Sequence, residues 1–423
     1  MITTPRMGTP DSLQVNGDRL WDRLMTLARI GATDKGGVCR LALSDLDRQA
    51  RDLFRHWAHE LGCSVRTDAI GNLFARRAGT DDTLPAVATG SHIDTQPTGG
   101  KFDGNYGVLA GLEVLHTLNE AGITTRAPLE VCVWTNEEGS RFVPVMMGSG
   151  VYAGAFTLAH ALAATDAQGT SVQQALQATG QAGGAPAAVA DGAPRFAAYF
   201  EAHIEQGPVL EDAGVTIGAV TGALGQRWYD VTVTGREAHA GPTPMALRRD
   251  ALLPAAALVQ RVNHLALAEQ PHGRGTVGQM SVFPGSRNTI PGRVRFTVDF
   301  RHASDVGLAR MDAALREAAA ALAQPGLEIT IEQVVYFPPQ PFDPALVDAV
   351  RQGAQRAGLS VMDVVSGAGH DAVYVARTAP AAMIFVPCKD GLSHNELEDA
   401  QPAHLAAGAN VLLHTMLAVA GRV

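Results

Sequence analysis

The sequence predicts an α/β protein, a mostly parallel sheet layered with helices, with an α+β (ferredoxin-like) domain inserted into its second half. Three observations predict it. From residue 64 onward, short apolar runs alternate with helical stretches, the order that builds parallel sheets. Between residues 214 and 333 the order changes to β-α-β-β-α-β, which packs two helices on an antiparallel sheet. The chain of 423 residues is also long enough for two hydrophobic cores.

The first helix is marked by Leu20, Trp21, Leu24, Leu27 and Ala28 on one face, after a polar start, Met1 to Asn16, excepted from the folded part. Ser44 is a plausible N-cap for a second helix that buries Leu46, Ala50, Leu53, Phe54 and Trp57. Strands are predicted at 72–76, 86–90, 129–135 and 197–204, with helices at 108–118 and around 172–178. The Ala/Gly-rich patch Gly180 to Gly192 reads as a mobile loop. In the inserted part, 227–234, 276–283, 294–301 and 327–335 are strand-like, and 244–267 and 311–322 helical. The division is therefore 1–213 with 334–423, and 214–333. A helix at 344–357, a strand at 382–386 and a helix at 403–417 complete the first domain.

Composition excludes several classes of function. Hydrophobic residues at 46% and charged residues at 18% describe a folding chain. A net charge of -9 argues against a nucleic-acid partner, which needs a positive footprint. Cys39, Cys63, Cys132 and Cys388 lie far apart with no Cys-x-x-Cys pair, so free thiols are expected. No signal-like start and no uninterrupted apolar run of membrane-spanning length is visible, and a cytoplasmic protein is expected.

Five residues of metal-ligand type stand in turn or strand-end contexts: His92, Asp103, Glu138, His203 and His394. In open α/β sheets, ligands bind beyond the carboxyl ends of strands, where these residues cluster. Three imidazoles with two carboxylates, one of them bridging, suit two divalent cations that each keep a position for water. Asp94, two residues after His92, fits an orienting role. Adjacent Glu137 and Glu138 cannot both serve one metal comfortably, which suggests that one ligates while the other acts as a base. Each candidate has a plainer alternative: a lone His after a strand is commonly structural, and two loop carboxylates are commonly solvated. His56 and His59, at helical spacing without a carboxylate motif, fit the plainer alternative. The glycine clusters at 99–107 and 367–369 lack the Gly-x-Gly-x-x-Gly that would follow a strand in a nucleotide site.

Taken together, Gly-Ser-His-Ile-Asp-Thr, Phe-Asp-Gly-Asn-Tyr-Gly, Thr-Asn-Glu-Glu-Gly, His-Ile-Glu-Gln-Gly-Pro-Val-Leu-Glu, His-Ala-Gly-Pro-Thr-Pro-Met and Ser-Gly-Ala-Gly-His-Asp-Ala resemble the hydantoinase/carbamoylase amidases. These belong to the dimetal aminoacylase and exopeptidase superfamily. The resemblance runs from about Leu20 to the C-terminus. It implies that Asp103 bridges two metals, that His92 and His203 complete one site, and that Glu138 and His394 complete the other. Glu137 would be the general base. His239 would be a lid histidine that stabilises the oxyanion across a homodimer formed through 214–333. Asn288 and Arg301 would hold the substrate carboxylate, with Gln206 and Gly369 as further substrate contacts. The expected ions are zinc, with manganese or cobalt accepted by the same donors. The expected reaction cleaves the ureido carbon–nitrogen bond of an N-carbamoyl-L-amino acid or N-carbamoyl-β-alanine, giving the amino acid, carbon dioxide and ammonia. Hydrolysis of allantoate or a ureidoglycolate-type compound is the alternative, and a non-catalytic binding relative the remote one.

Overall fold

The structure, a computed structural model, describes residues 13–421, so Met1 to Ser12 of the polar start lie outside it. The chain separates into two compact units, Met1–Thr221 with Phe342–Val423, and Gly222–Pro341. The second unit begins at 222 rather than 214 and ends at 341 rather than 333. The strand Ile217–Ala223 explains the shift at the start, because it pairs with Ala381–Val386 (Met383 opposite Val220) and so belongs largely to the first sheet. At the far end, Glu328–Phe337 pairs with Gly225–Thr234 from Thr234 to Gln226, which carries the second sheet past residue 333.

In the first unit the strands lie in the order Ser64–Thr67, Leu73–Arg77, Leu129–Trp134, Val87–His92, Ala198–Ile204, Ala381–Val386 and Ile217–Ala223, with Val361–Ser366 also paired to the last. The four from Leu129–Trp134 to Ala381–Val386 are parallel. The flanking pairs are antiparallel, so the sheet is mixed rather than mostly parallel. Residues 68–72 join the first two strands, and so short a link permits a hairpin but no crossover. The four parallel strands are buried at every position, as expected where helices cover both faces.

Helix ends follow side-chain capping. Ser44 accepts from Asp47 N at the start of Asp45–Glu60, and Asp343 accepts from Ala345 N and Leu346 N at the start of Pro344–Arg356. Each such cap contributes about 1 kcal/mol. The helix Pro402–Ala420 is the one membrane-length apolar helix among the described residues. By length and composition it could cross a membrane, with a mean hydropathy of 1.4. His404, Asn410 and His414 interrupt the apolar run in sequence. In the fold, Leu405, Val411, Leu412, Leu413 and Met416 are buried, and the helix packs on Asn105–Glu120, Pro344–Arg356 and Ala381–Val386.

The patch Gly180 to Gly192, expected to be loose, is anchored. Gly183 N donates to Asp68 O, Ala69 N donates to Ala185 O, and Ala187 is buried. A Cβ on Gly183 would fall 2.0 Å from Thr67 O, so the close approach requires glycine there.

The main sheet of the second unit has five antiparallel strands: Met280–Phe283, Arg293–His302, Gly225–Thr234 and Glu328–Phe337 in that order, with Arg274–Thr276 also on Arg293–His302. Alternation sends Tyr229, Val231, Val233, Val294, Phe296, Val298 and Phe300 to one face, where Leu252–Ala268 and Asp305–Leu322 complete a core. The first of these helices starts at Leu252 rather than 244, because Pro244 leads into a separate single turn, Met245–Leu247.

Candidate metal centre

The ends of the four parallel strands converge on one cleft of about 130 Å3, lined among others by His92, Asp103, Glu137, Glu138, His203, Gln206, Gly369 and His394. His92 is the last residue of Val87–His92 and His203 the penultimate residue of Ala198–Ile204. Glu137 and Glu138 follow Leu129–Trp134, His394 lies beyond Ala381–Val386, and Asp103 stands just before Asn105–Glu120.

Asp103 organises the site. Its Oδ1 faces His203 Nε2 at 3.2 Å and His92 Nε2 at 3.6 Å, while its Oδ2 faces His394 Nε2 at 3.4 Å. His394 Nε2 is also 3.3 Å from Glu138 Oε2. One carboxylate thus divides its two oxygens between two donor groups, His92–Asp103–His203 and Asp103–Glu138–His394. The main-chain oxygens of Asp94 and Ile204 accept from Nδ1 of His92 and His203, at 2.9 Å in each case. That assigns the tautomer and turns the Nε2 lone pair of each ring toward Asp103, the orientation a metal-binding imidazole needs, with Gly104 N also donating to Nε2 of His203 at 3.1 Å. Gly104 has φ +66°, and a Cβ there would fall 2.4 Å from the His92 ring, so glycine is needed for conformation and space together.

Burial and charge act together on these groups. Burial would raise the Asp103 carboxyl, but hydrogen bonds from His203, His394 and His92 hold it well below the usual carboxylate range. Burial pushes Glu138 up to about 7, with the charge of Asp103 adding to the effect. Burial also drives Glu137 well above the carboxylate range, against the pull of His92 and with help from Asp371, Glu138 and Asp103. Nitrogen and oxygen donors around concentrated buried carboxylate charge are what divalent cations neutralise, so the residues present fit two such ions.

Glu137 and Glu138 are held differently. Glu138 accepts from Gln96 N (3.1 Å) and Gln96 Nε2 (2.7 Å), which aims it at the His394 group. Glu137 Oε2 stands 3.5 Å from His92 Nε2, and Asp94 accepts from the main-chain N–H of both glutamates. Gln206 Nε2 donates to Asp103 Oδ2 (2.9 Å) and Ser393 Oγ (3.1 Å), leaving its Oε1 buried without a partner. Glu201, His203 and His370 also converge. His203 turns its Nδ1 to the Ile204 main-chain oxygen and its Nε2 to Asp103, and Glu201 accepts from Ser91 Oγ and Ala372 N, so this trio braces the first group.

The other candidates stand elsewhere. His239 and Asn288 meet in the second unit, where Ala238–His239 pairs with Thr289–Ile290 and Ala240 N donates to Asn288 O. Arg301 donates from Nε and Nη2 to Asp299 Oδ2, at 3.1 and 2.9 Å. His56 is exposed beside Glu60, away from these groups. Gln96, Ser393, Glu201 and Glu398 were not singled out in the sequence, although Ser393 and Gln96 adjoin motifs that were.

The family described as Peptidase family M20/M25/M40 matches residues 88–418. An N-carbamoyl-L-amino-acid amidohydrolase from Rhizobium meliloti is 48% identical over 412 residues, 97% of this chain and 98% of the relative. Allantoate amidohydrolase from Bacillus subtilis is 37% identical over 397 residues, 92% of this chain and 95% of that one. A solved amidase of the hydantoinase/carbamoylase family from Burkholderia multivorans has a TM-score of 0.93 at 58% identity, covering 97% of this chain and 99% of that chain.

Proposed function

Since the chain belongs to peptidase family M20/M25/M40, and within it to the hydantoinase/carbamoylase amidases, we propose that it hydrolyses an N-carbamoyl-L-amino acid to the amino acid, carbon dioxide and ammonia. The observation that carries this is Asp103, with its two oxygens divided between two donor groups and Glu137 beside them. His92 and His203 would hold one ion, Glu138 and His394 the other, and Asp103 both. The chemistry two such cations supply is a water made acidic near neutral pH and a polarised carbonyl. Zinc is the expected ion; manganese or cobalt would suit the same donors.

Glu137 takes the proton of the attacking water and returns it to the leaving nitrogen. A carboxyl raised by burial holds a proton more readily than an exposed one, which suits a group that takes a proton and gives it back. Gln206, oriented by its two donated hydrogen bonds, offers its unpartnered Oε1 to an N–H of the ureido group. Gly369, with no side chain, leaves room in the cleft. Arg301 and Asn288 hold the substrate carboxylate, an arginine fork giving two parallel charge-assisted bonds, and His239 stabilises the oxyanion. The free thiols Cys39, Cys63, Cys132 and Cys388 suit a cytoplasmic setting.

Ammonia release should therefore be faster from N-carbamoyl-L-amino acids than from N-carbamoyl-β-alanine or allantoate. Arg301→Ala should lose the preference for the free acid over its amide. Faster turnover of allantoate would replace the proposed substrate.

We further propose a homodimer formed through the second unit, in which His239 serves the partner's site. Mixing His239→Ala with Glu137→Gln should then restore activity. Random exchange makes half the dimers hybrid, each with one complete site, so roughly a quarter of wild-type activity is expected. No recovery after demonstrated subunit exchange would show that His239 acts within its own chain or not at all.

A further inference from the structure

We propose that Glu398 is a positioning residue that sets the affinity of one metal, the ion assigned to Asp103, Glu138 and His394. This rests on the two-metal reading above. Glu398 is buried, and its Oε1 accepts from the main-chain N–H of Phe102 (2.8 Å) and of Asp103 itself (3.1 Å). Its Oε2 accepts from Ser393 Oγ at 3.2 Å, and Ser393 Oγ also stands 2.8 Å from Asp103 Oδ2. A hydroxyl has one hydrogen, so the two carboxylates share it. A Cβ on Gly100 would fall 2.1 Å from the Glu398 carboxyl carbon, so this turn leaves space for that side chain and nothing larger.

The consequence follows from where each ligand sits. His92 and His203 belong to buried strands whose ladders hold them without help. Asp103 and His394 stand outside helices and strands. The side chain of His394 is 52% exposed and its φ is +54°. Glu398 joins the two segments that carry them. It lies in the same connection as His394, before the helix Pro402–Ala420, and grips the main chain of Asp103. Without that grip, two of the three ligands of one ion lose their mutual placement, while the pair of imidazoles around the other ion keeps its own.

The test is zinc binding by competition with a chromogenic chelator, with the metal-free proteins also melted in chelator. Wild type should bind two zinc ions tightly. Glu398→Ala should keep one and bind the other about tenfold to a hundredfold more weakly, the usual effect of losing an outer-shell partner. Its kcat should recover when zinc is raised to saturation. Glu398→Gln retains an acceptor for the two amides and should stay close to wild type. If Glu398→Ala does not fold, Glu398→Leu, which fills the space without an acceptor, carries the same test. Two equally tight ions in Glu398→Ala, equal weakening of both ions, or a Glu398→Gln as weak as Glu398→Ala would each overturn the inference. Fewer than two tight ions in wild type would instead overturn the two-metal reading.

Discussion

Glu137→Gln is expected to lower turnover by at least ~10²-fold, the lower end for loss of a general acid/base, while metal content stays unchanged. The two adjacent glutamates are distinguished by their surroundings. Glu138 has both carboxylate oxygens held by Gln96 and faces His394, the arrangement of an oriented ligand. Glu137 faces His92 across 3.5 Å and is buried well above its ordinary ionisation range. Substitution by glutamine keeps its volume and removes its ability to take a proton. Glu138→Gln should instead reduce metal content. Elemental analysis that found metal lost from Glu137→Gln and kept in Glu138→Gln would reverse the two roles.

Asp103→Asn should have the largest effect. An amide has one acceptor oxygen, so it can serve one donor group and must turn an NH2 toward the other. The bridge therefore cannot form, and at least one ion should be lost. Removing one of two cations forfeits several kcal/mol of transition-state stabilisation, on the order of 10³-fold in rate. Saturating zinc should not restore the rate, in contrast to Glu398→Ala, because here the donor atom itself is missing. Two tightly bound ions in Asp103→Asn would remove Asp103 from the bridging role.

The cleft was legible where ligand chemistry sits directly after a buried strand. Val131 to Trp134 runs straight into Glu137 and Glu138, and 87–92 ends on His92, so an apolar run and a metal-binding residue type are neighbours in sequence as they are in space. Glu398 and Gln96 gave no such signal. A lone carboxylate or amide in a loop looks solvated until the fold shows what it accepts or donates. Glu398 reaches Asp103 across 295 residues of chain. The α/β class was readable from alternation, but the antiparallel edges were not, because a strand of four residues such as Ser64–Thr67 carries no direction in its composition. The shifted boundary of the second unit has a similar origin: Ile217–Ala223 is as apolar as a strand of either unit, and only its pairing with Ala381–Val386 assigns it.

The sequence by itself determined the residue types, since local contexts place imidazoles, carboxylates and two adjacent glutamates at the ends of apolar strands. Tertiary structure alone decided the geometry. The sheet order, in which Val87–His92 lies between Leu129–Trp134 and Ala198–Ile204, with Ala381–Val386 beyond, brings donors from distant parts of the chain to one buried carboxylate. Which oxygen of Asp103 faces which imidazole, and which glutamate is held and which left free, depends on hydrogen bonds between residues far apart in sequence. Such bonds form between surfaces created by packing, and so they leave no period or spacing in the chain.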